Sequence, residues 1–113
     1  MSTAIDLFCG LGGSSEGARQ ADVDVLWAAN HNPMAIETHR VNHPTVAHAC
    51  RDLMDHNWYE VPDSDIILAS PSCTGNTPAR GSEAPRHNTA RATALAVIQC
   101  AEIKRSQAVI VEN

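Results

Sequence analysis

The sequence lacks the features that would assign it to a membrane, secreted or polyanion-binding class. No apolar run exceeds five residues, whereas a membrane-spanning helix needs about 20. The start has no basic region and reaches a carboxylate at Asp6, so no secretory signal peptide is expected. Positive charge is scarce, because 13 Asp and Glu outnumber 8 Lys and Arg and give a formal net charge of -5. A stand-alone polyanion binder is normally basic, so we expect a cytoplasmic protein, with no membrane partner, that does not bind nucleic acid unaided.

Close cysteine spacing is also absent. The chain has four cysteines, at positions 9, 50, 73 and 100, and none is near another in sequence. Disulfide frameworks and zinc sites usually show short spacings, so we expect reduced thiols. With 113 residues, 43% of them hydrophobic and 19% charged, the chain is expected to form one globular domain at most.

Short apolar segments alternate with helical ones along the chain. Predicted strands cover residues 4–9, 23–29, 46–49, 65–69 and 108–111, and predicted helices cover 14–20, 33–42 and 90–105. Ser14 would cap the first helix, residues 70–88 would form a long loop, and Leu95, Ile98 and Ile103 would lie near one face of the last helix. The alternation predicts an α/β fold, a Rossmann-like, doubly wound and mainly parallel sheet with helices on both faces.

In such sheets ligands bind beyond the carboxyl ends of the strands. This rule selects five groups that follow predicted strands: residues 9–13, 30–32, 52, 70–74 and 112–113. The glycine-rich turn from Gly10 to Gly13 permits a close approach to a helix start, although it lacks the third spaced glycine of the dinucleotide fingerprint. Asn30 is placed to contact a ribose and Asp52 to contact a base amino group. For either residue, a helix cap is an equally good interpretation.

Cys73 is the candidate nucleophile. It follows a predicted strand and has polar neighbours, which makes an accessible thiol more plausible than a buried one. Glu112 follows the adjacent strand and could place a carboxyl group in the same cleft. A nucleophile and an acid at neighbouring strand ends indicate covalent catalysis.

The histidines allow a second hypothesis. His39 and His43 are four residues apart on a predicted helix and could share a metal with Cys50. The glutamate of the metalloprotease motif is missing between them, and no second ligand pair has standard spacing. We therefore favour an exposed polar helix face over a zinc site and expect no metal.

These segments, in this order, resemble the N-terminal catalytic half of the cytosine-5 DNA methyltransferases, in particular bacterial and phage members. Residues 6–13, Asp-Leu-Phe-Cys-Gly-Leu-Gly-Gly, resemble the first motif of the family, which binds S-adenosylmethionine. Residues 29–33 stand in the place of its second motif and residues 51–53 resemble its third. Residues 70–73, Ser-Pro-Ser-Cys, resemble the fourth motif, which carries the nucleophile, and Glu112-Asn113 matches the Glu-Asn pair of the sixth.

The resemblance implies a role for each matching residue. Cys73 would attack C6 of cytosine as a thiolate, Glu112 would hold the ring N3, and the target base would be flipped out of the DNA duplex. Arg80 and Arg86 would belong to a loop that closes over the DNA. The residues implied to contact the cofactor S-adenosylmethionine are Phe8, Cys9, Gly10, Leu11, Gly13, Asn30, His31, Asp52, Leu53 and Pro71.

The chain departs from the family pattern in three ways. Asn30 stands where the family usually has an acid, and Ser72 and Thr74 flank the cysteine where the family usually has Pro-Cys-Gln. The later motifs, including the target-recognition region, would follow Asn113. We therefore expect residues 1–113 to be a partial catalytic domain that is inactive alone. An RNA cytosine-5 methyltransferase and a non-catalytic module that keeps the fold remain as alternatives.

Overall fold

The computed structural model describes residues 1–71 and 85–113, and for residue 55 and residues 85–90 it describes the backbone alone. The strands are β1 (Thr3–Leu7), β2 (Asp24–Asn30), β3 (Ala47–Cys50), β4 (Ile66–Ala69) and β5 (Ala108–Val111). The helices are α1 (Gly13–Gln20), α2 (Pro33–Asn42) and α3 (Pro85–Lys104), with two short 3-10 helices at Leu53–Asp55 and Trp58–Glu60. The predicted alternation of strands and helices is confirmed. No helix in the described part of the chain is both long and apolar enough to cross a membrane.

The five strands form one parallel sheet in the order β3-β2-β1-β4-β5. From the central β1 the chain builds outward through β2 and β3, and then crosses to the other side of β1 for β4 and β5. The direction of winding therefore changes between β1 and β4, which is where such sheets form a ligand crevice. The doubly wound parallel sheet predicted from the sequence is confirmed.

Alternate side chains of β1 pack into two hydrophobic clusters, one on each face of the sheet. Ile5 and Leu7 pack into a cluster that includes Trp58 and buried residues of α3. Ala4 packs into a second cluster, with residues of α1 and α2. Because successive strand residues face opposite sides of a sheet, Asp6 lies on the α1 and α2 side, where it is fully buried.

Three local predictions were wrong. Gly12, in a left-handed conformation, is the N-cap of α1, and no side-chain hydrogen bond caps that helix as Ser14 was expected to do. α3 begins at Pro85 rather than at residue 90, because proline suits a first helical turn although the segment has no apolar periodicity. The predicted face of α3 is exposed at Leu95 and Ile98 and partly exposed at Ile103. Among residues 91–104 of that helix, the buried ones are Thr93, Ala96, Val97 and Cys100.

Candidate active site

A cavity of about 600 Å³ opens at the carboxyl edge of the sheet. Its walls come from the carboxyl ends of β1, β2, β3 and β4 and the segments that follow them, together with one residue of α3. The lining residues are Phe8, Cys9, Gly10, Asn30, His31, Arg51, Asp52, Leu53, Met54, Ser70 and Thr93. The cavity thus lies where the strand-end rule predicted a ligand, and its size is in the usual range for a small-molecule site.

Most of the residues that the resemblance implies for the cofactor line this one cavity. The exceptions are Leu11, Gly13 and Pro71. Leu11 is largely exposed, Gly13 begins α1, and Pro71 is buried directly after the cavity residue Ser70. The structure therefore brings together residues from three separate motifs, and their contacts with a cofactor stay a prediction.

The turn after β1 forms the near wall of the cavity. Phe8 and Gly10 have φ angles of 53° and 54°, and the left-handed conformation at a residue as large as Phe8 costs on the order of 1–3 kcal/mol. The amide of Cys9 donates to the carbonyl of Ala29 at 3.0 Å, and the amide of Gly12 donates to the carbonyl of Cys9 at 3.1 Å. A Cβ at Gly10 would meet nothing within 4 Å, so a ligand can approach the backbone there.

The polar side chains of the far wall also hold their own turns. Asn30 Oδ1 accepts the amide of Asn32 at 3.0 Å, and Asp52 Oδ1 accepts the amide of Met54 at 3.0 Å. Asp52 is thereby the N-cap of a 3-10 helix, as the alternative interpretation of that residue proposed, while Asn30 forms an Asx turn. Each side chain keeps further hydrogen-bonding capacity beside the cavity.

The described cysteines differ in their capacity to act as nucleophiles. Burial, aided by the negative charge of Asp6, raises the pKa of Cys9 to about 12, and burial raises that of Cys100 to about 11. Only a thiolate is strongly nucleophilic, so these two thiols are poorly suited to attack. Cys50 is exposed at the end of β3, and Cys73 lies outside the described residues.

Glu112 stands beside the end of β4. Its backbone amide donates to the carbonyl of Ala69 at 2.9 Å, and its side chain is exposed. Glu112 therefore lies next to the carboxyl end of β4. Residues 70 and 71 follow that strand end, and the described part of the chain stops there. Arg80 lies outside the described residues as well, and Arg86 lies in the first turn of α3, where the backbone alone is described.

The expectation of an exposed polar face at His39 and His43 was wrong, because both residues are buried. His39 contacts Ser15 and His48, and Ser15 in turn contacts Asp6. Burial, together with the nearby His48 and His43, lowers the pKa of His39 to about 4. Within residues 1–71 and 85–113, no group of three or more His, Cys, Asp or Glu side chains could hold a metal ion.

Sequence reasoning missed Arg51, Met54 and Thr93 as individual lining residues of the cavity. The first two adjoin the predicted pair Asp52-Leu53, so the motif itself pointed to them. Thr93 comes from α3, and its one sequence signal is that a polar residue interrupts an apolar stretch of that helix.

Comparison with known proteins agrees with this geometry. A family model described as C-5 cytosine-specific DNA methylase matches residues 2–113. The Type II methyltransferase M.AgeI of Thalassovita gelatinovora is 32% identical over 79 residues, which are 63% of this chain and 18% of that protein. M.XorII of Xanthomonas oryzae pv. oryzae is 33% identical over 79 residues, covering 63% of this chain and 19% of that protein.

Among solved structures, a DNA modification methyltransferase encoded within a prophage of E. coli superposes with a TM-score of 0.74 and 26% identity. The match covers 94% of this chain and 30% of that one. The chain thus spans under a third of the length of each of these three proteins.

Proposed function

The chain belongs to the C-5 cytosine-specific DNA methylase family, and on that premise we propose that the protein transfers a methyl group from S-adenosylmethionine to C5 of cytosine in DNA. The observation that carries the proposal is the cavity at the strand ends, which residues of four separate motifs border. A protein with this activity works where DNA is accessible, which in a bacterial or phage-infected cell is the cytoplasm.

The residues around the cavity fit S-adenosylmethionine. The cofactor has an apolar base face, a ribose and a charged amino-acid end, and it supplies an electrophilic methyl group. The cavity offers the apolar side chains of Phe8, Leu53 and Met54 beside the polar groups of Asn30 and Asp52. In our proposal Asn30 binds the ribose hydroxyls, Asp52 the adenine amino group, and the backbone around Gly10 lies against the ligand. The remaining residues that we propose for the cofactor site line the cavity or lie next to its lining residues: Cys9, Leu11, Gly13, His31 and Pro71.

The proposed chemistry at the base uses two residues of the chain. The Cys73 thiolate attacks C6 of the flipped-out cytosine, and the electron pair of the C5–C6 double bond becomes available at C5 to take the methyl group. Loss of the C5 proton then lets the Cys73 sulfur leave. Glu112 holds N3 and stabilises the charge that develops on the ring during attack. The position of Glu112 beside the end of β4 supports this pairing, and Arg80 and Arg86 would contact the DNA backbone.

Methyl transfer is tested by incubating DNA, and RNA in a parallel reaction, with the full-length protein and labelled S-adenosylmethionine, then digesting each polymer to nucleosides. Label in 5-methyldeoxycytidine is expected. Label in RNA but not in DNA would favour the RNA methyltransferase alternative, and label on an exocyclic amino group would contradict the proposed chemistry.

Replacing Asn30 by aspartate is expected to tighten binding of S-adenosylhomocysteine by about tenfold, measured by titration calorimetry. One carboxylate oxygen can keep the bond to the Asn32 amide, and the other can accept from a ribose hydroxyl. Hydrogen bonds to charged groups contribute about 1.5–3 kcal/mol against about 1 kcal/mol for neutral ones. Asn32→Asp is the control, because Asn32 caps α2 and does not line the cavity. Equal gains in both variants would show a general charge effect and contradict the role of Asn30.

A further inference from the structure

A buried chain of hydrogen bonds runs beneath the glycine-rich turn and joins four elements of the fold. Ser15 Oγ on α1 donates to Asp6 Oδ2 on β1 at 2.6 Å. His39 Nε2 on α2 lies 2.9 Å from Ser15 Oγ, and His39 Nδ1 lies 2.7 Å from Nε2 of His48 on β3. Asp6, Ser15 and His39 are all at most 1% exposed. Nothing in the proposed methyl transfer uses these side chains.

His39, in the middle of this series of hydrogen bonds, and the neighbouring His43 lie against the turn that borders the cavity. A Cβ built on Gly12 would lie 3.1 Å from Cδ2 of His39 and 3.1 Å from both Cδ2 and Nε2 of His43. The two imidazole rings therefore fill the space beside Gly12 that a side chain would need, and the φ angle of Gly12 is 107°. Gly12 is two residues from Gly10, which lines the cavity. Any reorientation of the His39 ring moves the surface on which this turn rests.

The number of protons on these side chains determines the donor and the acceptor of each hydrogen bond from His48 to Asp6. A serine hydroxyl has one proton, and Ser15 gives it to Asp6. His39 must then donate from Nε2 to Ser15, and a neutral His39 must accept at Nδ1 from Nε2–H of His48. Only one neutral tautomer of His39 satisfies this arrangement, so its ring is held in a single orientation and charge state.

We propose that Ser15 and His39 are positioning residues for the cofactor-binding turn, acting through a hydrogen-bond chain that runs in one direction from His48 to Asp6. The inference rests on the proposed function in one respect only, that the cavity beside Gly10 binds S-adenosylmethionine. Ser15 and His39 do not touch the cavity, and their effect on the ligand passes through the backbone of Gly12.

Protonation of Asp6 changes the direction of each of these hydrogen bonds. Asp6 Oδ2–H then donates to Ser15, and Ser15 donates to His39 Nε2. His39 donates from Nδ1 to an unprotonated Nε2 of His48, and the ring proton of the neutral His48 is then on its Nδ1. One proton enters and every bond reverses. Burial raises the pKa of Asp6 to about 6, partly opposed by its hydrogen bonds from Ser15, and Asp6 Oδ1 is buried without a partner. Reversal is therefore expected as the pH falls through about 6.

Other titratable groups act on this chain and belong in any pH analysis of it. They lie on α1, on α2 and in the turn after β1. Their charges interact with Asp6, His39 or His48, or with a group that does. These groups are Cys9, Glu16, Glu37, Arg40 and His43.

The test combines two measurements on the 113-residue chain: the His39 tautomer by ¹⁵N NMR, and the affinity for S-adenosylhomocysteine by calorimetry. In the unmodified chain His39 is expected to be neutral with the proton on Nε2 at pH 7.5, and neutral with the proton on Nδ1 near pH 5. Ser15→Ala is expected to abolish this switch and to weaken binding about tenfold, the size of one lost hydrogen bond. Ser14→Ala, at the neighbouring half-buried position, is expected to change neither.

Persistence of the single Nε2–H tautomer in Ser15→Ala, or an equal loss of affinity in Ser14→Ala, would overturn the inference. A tautomer change without any loss of affinity would also overturn the positioning role. If Ser15→Ala does not fold, His48→Ala decides by the same two readouts, because His48 is half-buried at the outer end of the chain. If the unmodified chain binds no S-adenosylhomocysteine, the proposed function loses its cofactor. In that case the tautomer measurement alone decides whether the chain of bonds exists.

Discussion

Gly12→Ala is expected to destabilise the protein by about 3 kcal/mol. A φ of 107° is strained for any residue with a Cβ, which costs on the order of 1–3 kcal/mol. The new methyl group would also press on the rings of His39 and His43 at 3.1 Å. Those rings are buried and pack on one another with centroids 4.8 Å apart and planes tilted by 42°, so moving them aside is costly. The midpoint of thermal unfolding should fall by on the order of 10 °C.

Gly17→Ala is the matched control for this prediction. Gly17 lies within α1, and a Cβ there would meet nothing within 4 Å. Alanine is favoured over glycine in a helix by about 0.5–1 kcal/mol, so this variant should melt at the same temperature or slightly higher. If Gly12→Ala and the unmodified protein unfold at the same temperature, the rings of His39 and His43 do not restrict the turn at Gly12.

In the full-length protein, Cys73→Ala is expected to reduce methyl transfer about a thousandfold or more, because removal of a nucleophile leaves only binding and electrostatic effects. Binding of S-adenosylhomocysteine should be unchanged, since the proposed cofactor wall does not include this residue. The measurement is the rate of label transfer to DNA, beside a calorimetric titration of the same preparation.

Cys50→Ala is the control for the nucleophile. Cys50 is the exposed thiol among the described cysteines, and its Sγ lies 3.5 Å from the carbonyl of His31. The rate of methyl transfer by the Cys50→Ala protein should stay within about twofold of that of the unmodified protein, as expected for a surface substitution. A large loss with Cys50→Ala and none with Cys73→Ala would reassign the nucleophile.

The fold could be predicted from the sequence because its strands are distinct apolar runs separated by turn residues. Ile66, Ile67 and Leu68 form such a run, and the prediction of a strand at 65–69 differs from β4 by one residue. Element ends were harder to place. β1 stops at Leu7 rather than at residue 9, because Phe8 adopts a left-handed conformation that no local pattern indicates.

The cavity could be predicted from topology, because the carboxyl ends of parallel strands meet at one edge whatever residues they carry. The burial of His39 could not. A polar residue on a short helix is normally exposed, and only the tertiary contacts with Ser15 and His48 make burial acceptable. The exposure of Leu95 and Ile98 was missed for the converse reason, since the small residues Ala96 and Cys100 fill the space against the sheet.

Trapping of the covalent intermediate tests most directly whether Cys73 attacks the target base. DNA that contains 5-fluorocytosine cannot release the enzyme by loss of the C5 proton, so the sulfur–C6 bond should persist. The full-length protein with S-adenosylmethionine is expected to form a denaturation-resistant adduct, which peptide mass mapping places on Cys73. An adduct on Cys50, or methyl transfer to unmodified DNA without any adduct on the fluorinated substrate, would contradict the claim.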